Sequence, residues 1–215
     1  MKTCALAALL VTAPLSCLVA GSASATTLCE ESIGVCPAGK RYMIPTKFQA
    51  QLVPGTAFKL TMGKSTVECN ESEIAGETLK NLGPETWIVS ELGVWTLSQK
   101  GGECINGLGK CPTAHWSLPM KPFWISHGGN GAVLLQMEGG SVSFEAVCGG
   151  MKCIYAGTPS AAFRGGGAGE ALLEMVNEEL KKAVGSNALC ANEAFVNFDY
   201  AIKTPANALW IAYSP

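Results

Sequence analysis

The sequence predicts an all-β fold, mainly antiparallel, built as a β-sandwich or a barrel-like domain and stapled by disulfides. Three observations carry this. Short runs alternate polar and apolar residues, as in Lys47-Phe48-Gln49-Ala50-Gln51-Leu52, 66–69, 141–146 and 196–200, the period of a half-buried strand. Turn formers separate the runs: Val53-Pro54-Gly55, Met62-Gly63-Lys64, Leu82-Gly83-Pro84, Gly128-Gly129-Asn130-Gly131 and Gly139-Gly140. Many short strands at such spacing make sandwiches or barrels. Eight cysteines follow residue 25: Cys29, Cys36, Cys69, Cys104, Cys111, Cys148, Cys153 and Cys190. An even set of that kind, in an exported chain, reads as four disulfides.

The chain opens with Met1-Lys2-Thr3, an apolar stretch from Ala5 to Leu15, and the small-x-small site Ala23-Ser24-Ala25. This is the layout of a signal peptide over 1–25, with the product beginning at Thr26. Pro14, Ser16, Gly21 and Ser22 interrupt the run short of the roughly 20 apolar residues that a spanning helix needs. Lipidation at Cys17 is disfavoured, because Pro14 occupies the position where an aliphatic residue is required. The expected location is secreted, with no membrane span after cleavage. Lys2 leaves with the signal, so 14 basic residues face 17 acidic ones, a charge of −3. A mildly acidic chain without a basic run excludes nucleic acid as a partner.

Residues 26–215 read as one disulfide-stapled β domain made of two related units, about 26–103 and 104–215. Cys29 and Cys36 enclose six residues and precede Pro37; Cys104 and Cys111 enclose six and precede Pro112, at an offset of 75. The stretches 57–60 and 67–69 resemble 132–135 and 146–148, which supports two diverged internal repeats.

One segment departs from alternation. Leu172, Leu173, Val176, Leu180 and Val184 follow helical spacing within a run of good helix formers. The spacing predicts a helix over 170–184. Its place between Cys153 and Cys190 matches the span between Cys69 and Cys104, which reads as strands, so both readings stand.

Several pieces resemble a loose group of uncharacterised exported, cysteine-containing, β-rich proteins of high-GC Gram-positive bacteria. They are the Leu28-Cys29…Cys36 opening, the Thr66-Val67-Glu68-Cys69 strand, Gly76-Glu77-Thr78, Cys148…Cys153-Ile154-Tyr155, and Leu189-Cys190 with an aromatic strand after it. The resemblance implies a β-rich secreted fold and a strand over 172–182. It assigns no activity and no catalytic residues.

Catalytic patterns are scarce. A serine triad needs a base, and His115 and His127 are the only histidines; no G-x-S-x-G elbow exists. His127, in Ile125-Ser126-His127-Gly128-Gly129, reads chiefly as a turn residue and secondarily as a binding residue. Asp199 is the only aspartate, which argues against calcium loops. No C-x-x-C pair exists, which argues against zinc. Gly165-Gly166-Gly167-Ala168-Gly169 lacks the spacing of a dinucleotide fingerprint. No metal and no cofactor is expected.

The aromatics are the remaining handle. Phe123 and Ile125 share one face of a strand, which sets Trp124 on the other with Ser126; an outward Trp is a platform for a sugar or a protein. Trp124, Trp116 and His127 are the candidate binding residues. The functional expectation is a secreted, non-enzymatic binding or structural module whose partner is an extracellular protein or a glycan. Two alternatives are a secreted glutamate-dependent hydrolase acting on a glycan, and a protease inhibitor presenting the disulfide loop 30–35. The expected pairing of the cysteines is three local closures, Cys29–Cys36, Cys104–Cys111 and Cys148–Cys153, with Cys69–Cys190 closing the long loop. A rival scheme joins Cys69 to Cys104.

Overall fold

The computed structural model describes residues 25–31, 35–80, 87–99, 102–107, 109–111, 113–116, 120–126, 132–135, 142–166, 170–206 and 209–214. Residues 1–24, where the sequence predicts a signal peptide and where Cys17 falls, and His127 lie outside the described residues. Among those described, the chain forms seventeen strands, one turn of 3-10 helix at Ala38–Lys40, and no α-helix. The strands are β1 (Ala25–Cys29), β2 (Thr46–Leu52), β3 (Phe58–Met62), β4 (Ser65–Cys69), β5 (Glu71–Lys80) and β6 (Trp87–Ser98). The short β7 (Ile105–Asn106), β8 (Gly109–Lys110) and β9 (Thr113–Trp116) precede β10 (Met120–Ser126), β11 (Ala132–Leu135) and β12 (Val142–Cys148). The last are β13 (Met151–Gly157), β14 (Ser160–Arg164), β15 (Leu172–Lys182), β16 (Glu193–Thr204) and β17 (Trp210–Ser214). All strand pairings are antiparallel.

Neighbour by neighbour, the pairings lead from β16 through β2, β5, β6, β10, β11, β14 and β15 and back to β16. The long strands β15 and β16 also carry a second set. β3 pairs with the first half of β16 and leads to β4, β7 and β8; β13 pairs with the end of β15 and leads to β12 and β9. Because β15 and β16 serve both sets, the fold is sandwich-like rather than a plain closed barrel. The two sets meet in an aromatic core. Phe58 of β3 stacks on Phe144 of β12 (6.2 Å, 18°), and Trp95 of β6 meets both edge-on, at 6.5 and 6.2 Å. Such pairs add to the area they bury.

The pairings also run through one pattern twice. β2, β5 and β6 pair in succession, with the β3–β4 hairpin inserted after β2; β11, β14 and β15 pair in succession, with the β12–β13 hairpin inserted after β11. The two hairpins close on Gly63-Lys64 and Gly149-Gly150, with Met62 opposite Ser65 and Cys148 opposite Met151. Phe58 and Phe144 each sit four positions before that closing pair. Phe144 follows Phe58 by 86 positions, against the 75 of the cysteine spacing.

Two sequence expectations are corrected. Residues 172–182 are strand, not helix. β15 is paired along both edges, and its register shifts between Met175 and Glu178, where Asn177 takes φ 53°. This bulge inserts one residue, so the buried positions Leu173 and Met175 are followed by Leu180. A strand with one extra residue thus imitates helical spacing. Val176 and Val184, which the helix would bury, are 68% and 100% exposed.

The disulfides are Cys29–Cys36, Cys69–Cys104, Cys111–Cys148 and Cys153–Cys190. Only Cys29–Cys36 follows the local scheme; the rival was right on Cys69–Cys104. Cys148 and Cys153 do not bond because their turn has two residues, not four. Gly149 and Gly150 adopt φ 57° and 80°, open to glycine, and the register then sets Cys153 opposite Ala146, diagonal to Cys148.

β1 and β17 form a separate two-stranded ribbon, with Trp210 packed on the Cys29–Cys36 bridge. Leu28 and Leu209 of this region cap the interior formed by β2, β5, β6, β14 and β15, where Phe48, Ile74, Leu92, Phe163 and Leu173 leave a void of about 40 Å³. That is room for a few waters at most, so this interior is packed core. No helix among the described residues is long and apolar enough to cross a membrane.

Candidate functional site

A broad concavity lies on the outer face of the sheet where β3, β4, β15 and β16 adjoin. It follows from strand alternation. Phe58, Leu60, Val67 and Phe198 point into the core, so Lys59, Glu68, Asn197 and Asp199 are turned outward. Register aligns them: Asn197 is opposite Lys59, and Lys59 is opposite Glu68. The Lys59 Nζ lies 3.2 Å from Glu68 Oε1. With Thr56, Asn70 and Val176 these residues enclose about 700 Å³.

Two local structures shape the walls. The turn after β2 is pinned by Thr56, whose hydroxyl donates to the Val53 carbonyl at 2.8 Å, and by the Val53 amide, which donates to the Asp199 carbonyl at 2.9 Å. The opposite wall is the β15 bulge. Its Asn177 is the one non-glycine residue with positive φ among those described, a conformation that Asn tolerates better than most and that concentrates at functional sites. The Asn177 amide donates to Asn197 Oδ1 at 2.8 Å, which fixes the Asn197 side chain and leaves its amide nitrogen without a protein partner among the described residues.

The charges of the groove are largely matched. Lys59 and Glu68 neutralise one another. Asp199 is opposed across the ladder by Glu174, whose carboxylate is held by Arg164 Nη2 at 2.6 Å. What remains is a wall of donors and acceptors on rigid strands beside the apolar Val176. The chain matches no family model, no curated protein and no solved structure.

A second, smaller cleft of about 200 Å³ lies at the hairpin tips, between Met62, Met151, Leu189 and Lys110, and is floored by Cys148, Cys153 and Cys190. Tyr155 lines it, and its buried hydroxyl has no hydrogen-bond partner among the described residues. Burial pushes the Tyr155 phenol above its ordinary range.

The residues singled out in the sequence lie elsewhere. Trp116 pairs with Phe144 at the β9–β12 ladder. Trp124 stands in β10 between Val89 of β6 and Leu134 of β11. The two belong to different ladders. The loop 30–35 begins with Glu30 and Glu31, which both pair with Lys40. All eight cysteines from Cys29 onward are consumed in disulfides, so none is a free ligand for a metal. The groove residues were visible only as the polar members of alternating strands; which strands become neighbours is not written in any one of them.

Proposed function

We propose that this protein is a secreted, non-enzymatic binding module that holds a hydroxyl-rich ligand, a glycan, in the groove between β3, β4, β15 and β16. One observation carries the reading: the Asn177 bulge both opens the groove and orders Asn197 within it. Sugar hydroxyls need paired donors and acceptors at fixed places, and strands hold such groups more rigidly than loops do. Asn197, Asp199, Asn70, Thr56 and the Lys59–Glu68 pair supply them, and Val176 offers an apolar contact for a ring face. The signal-peptide pattern and the four disulfides support an extracellular location.

The test is a glycan array followed by calorimetry on the highest-affinity oligosaccharide, with the natural protein and with an Asn197→Ala, Asp199→Asn double variant. The expected result is binding that weakens at least tenfold in the variant. Binding unchanged by the variant would remove the groove from the reading, and an empty array would remove the glycan. Release of reducing ends from a bound glycan would instead favour a hydrolase, with Asp199 and its cross-strand neighbour Glu174 as the pair to substitute first.

A further inference from the structure

From Cys29 onward the cysteines are bonded in consecutive pairs: Cys29 to Cys36, Cys69 to Cys104, Cys111 to Cys148, and Cys153 to Cys190. Eight cysteines allow 105 pairings, and only this one takes them two at a time from the N-terminus. It is not the pairing that proximity favours. Cys104 and Cys111 are seven positions apart and Cys148 and Cys153 five, whereas the three long native bridges span 35, 37 and 37 positions. Closure falls with about the 3/2 power of loop length. A seven-residue loop therefore closes about tenfold more readily than one of 35, and a five-residue loop about twentyfold more readily than one of 37. Local structure strengthens the first trap, because the β7–β8 hairpin sets Cys104 and Cys111 opposite one another.

We infer that the pairing is set by order of appearance: the chain is oxidised from its N-terminus as it emerges unfolded on the oxidising side of a membrane, by a thiol oxidase bearing a reactive disulfide. This rests on the reading of the chain as exported. At every step one thiol is waiting. Cys29 waits for Cys36, then Cys69 for Cys104, Cys111 for Cys148 and Cys153 for Cys190. Both short traps are avoided because Cys104 and Cys148 are already bonded when Cys111 and Cys153 appear. In each closure one chain thiolate attacks the oxidase disulfide, forming a mixed disulfide and releasing an oxidase thiolate. The second chain thiolate then attacks the chain sulfur of the mixed disulfide, forming the native bond and releasing the other oxidase thiolate. Two chain thiols lose two protons and two electrons, and the oxidase leaves as a dithiol.

The experiment exports the full chain, with its own leader, in a bacterial strain that has a periplasmic thiol oxidase but no disulfide isomerase. Samples are alkylated at harvest and the bridges mapped on non-reduced peptides. The natural chain is expected to carry all four native bridges. Cys36→Ser leaves Cys29 waiting, so Cys69 is taken by Cys29, and Cys104–Cys111 and Cys148–Cys153 form with Cys190 left free. The double variant Cys29→Ser, Cys36→Ser restores the three long native bridges. The inference is overturned if the natural chain needs the isomerase for native pairing, or if Cys36→Ser keeps the three long bridges. A chain recovered uncleaved with every thiol free would overturn the export reading itself, and with it this inference, a result distinct from mispaired export.

Discussion

Cys104 and Cys111 face one another across the β7–β8 hairpin, the Cys111 amide donating to the Cys104 carbonyl at 2.8 Å, and they are bonded to different strands. Cys104 holds Cys69 at the end of β4, and Cys111 holds Cys148 at the end of β12. The hairpin is therefore a clip. It ties two strands that no ladder joins directly, one from each side of the β15–β16 pair, at the rim of the second set of strands. The Cα separations of 4.7 and 4.4 Å lie within the range that a bridge requires.

Removing the clip should cost more than removing the bridge near the N-terminus. In the chain-entropy treatment, the loop of 37 positions closed by Cys111–Cys148 contributes about 4 kcal/mol, and the loop of seven closed by Cys29–Cys36 about 2.5 kcal/mol. The paired variants Cys111→Ser, Cys148→Ser and Cys29→Ser, Cys36→Ser should rank in that order in urea midpoint. The reverse order would show that native-state contacts, such as Trp210 on the Cys29–Cys36 bridge, outweigh the constraint on the unfolded chain.

Tyr200 is the polar centre of the aromatic core. The Trp95 indole N–H donates to its hydroxyl at 3.1 Å, and the Ser72 hydroxyl donates to the Thr96 carbonyl at 2.6 Å. Ser72 has one proton and spends it on Thr96, so Tyr200 donates to Ser72 Oγ. Tyr200→Phe should cost about 2 kcal/mol, because it removes the hydroxyl that accepts from the buried indole N–H and donates to Ser72. Burial also pushes the Tyr200 phenol well above its ordinary range. Below about pH 10 both folded and unfolded chains keep this proton, and stability is full. Above it the unfolded chain loses the proton while the folded chain keeps it, so stability falls by about 1.4 kcal/mol per pH unit for each tyrosine so held. A denaturation series from pH 8 to pH 11.5 should show this decline, and a shallower one in Tyr200→Phe. An identical alkaline slope in the two proteins would refute the assignment.

The all-β class was legible because alternation is local. Phe58-Lys59-Leu60 and Val196-Asn197-Phe198 report their own faces without reference to any partner. What alternation cannot report is which strands adjoin, so the groove of Lys59, Glu68, Asn197 and Asp199, drawn from three strands, was missed, and attention went to Trp116 and Trp124. The β15 bulge shows the second limit: one inserted residue at Asn177 turns a strand pattern into an apparent helix. The two-residue turn at Gly149-Gly150 shows the third. Counting it as four residues places Cys148 opposite Cys153, while the Cys104–Cys111 closure failed separately, because the six-residue spacing shared with Cys29–Cys36 does not carry a shared bond.

Gly76 marks a close approach that no other residue fits. It sits beside the register shift between Ala75 and Gly76 where β5 meets β6, and an added Cβ would lie 2.1 Å from the Glu91 carbonyl oxygen and 2.7 Å from the Phe48 ring. The ring could turn, but the carbonyl belongs to a paired strand and is fixed. Gly76→Ala should destabilise by about 2–3 kcal/mol, read as a drop in melting temperature. Gly93→Ala on β6, where an added Cβ meets nothing within 4 Å, is the control and should change stability far less.

Asn177 joins stability to the proposed site, and its variants separate the two. At φ 53° a side chain is strained unless it is glycine or a short polar residue such as Asn. Asn177→Gly should therefore leave stability within about 0.5 kcal/mol of the natural protein. The amide that donates to Asn197 Oδ1 belongs to the backbone and survives the change, so ligand binding in the groove should survive too. Asn177→Val keeps that amide but sets a β-branched residue in the left-handed region, at a cost of about 1–3 kcal/mol. The bulge can escape this cost by moving along β15, and moving it shifts Met175 and Val176 relative to Asn197 and Asp199. Asn177→Val should thus lose both stability and groove binding, while Asn177→Gly keeps both. Thermal denaturation and calorimetry on the two variants check this. Loss of binding in Asn177→Gly with stability intact would show that the Asn177 side chain itself touches the ligand; full binding in a destabilised Asn177→Val would show that the bulge does not shape the groove.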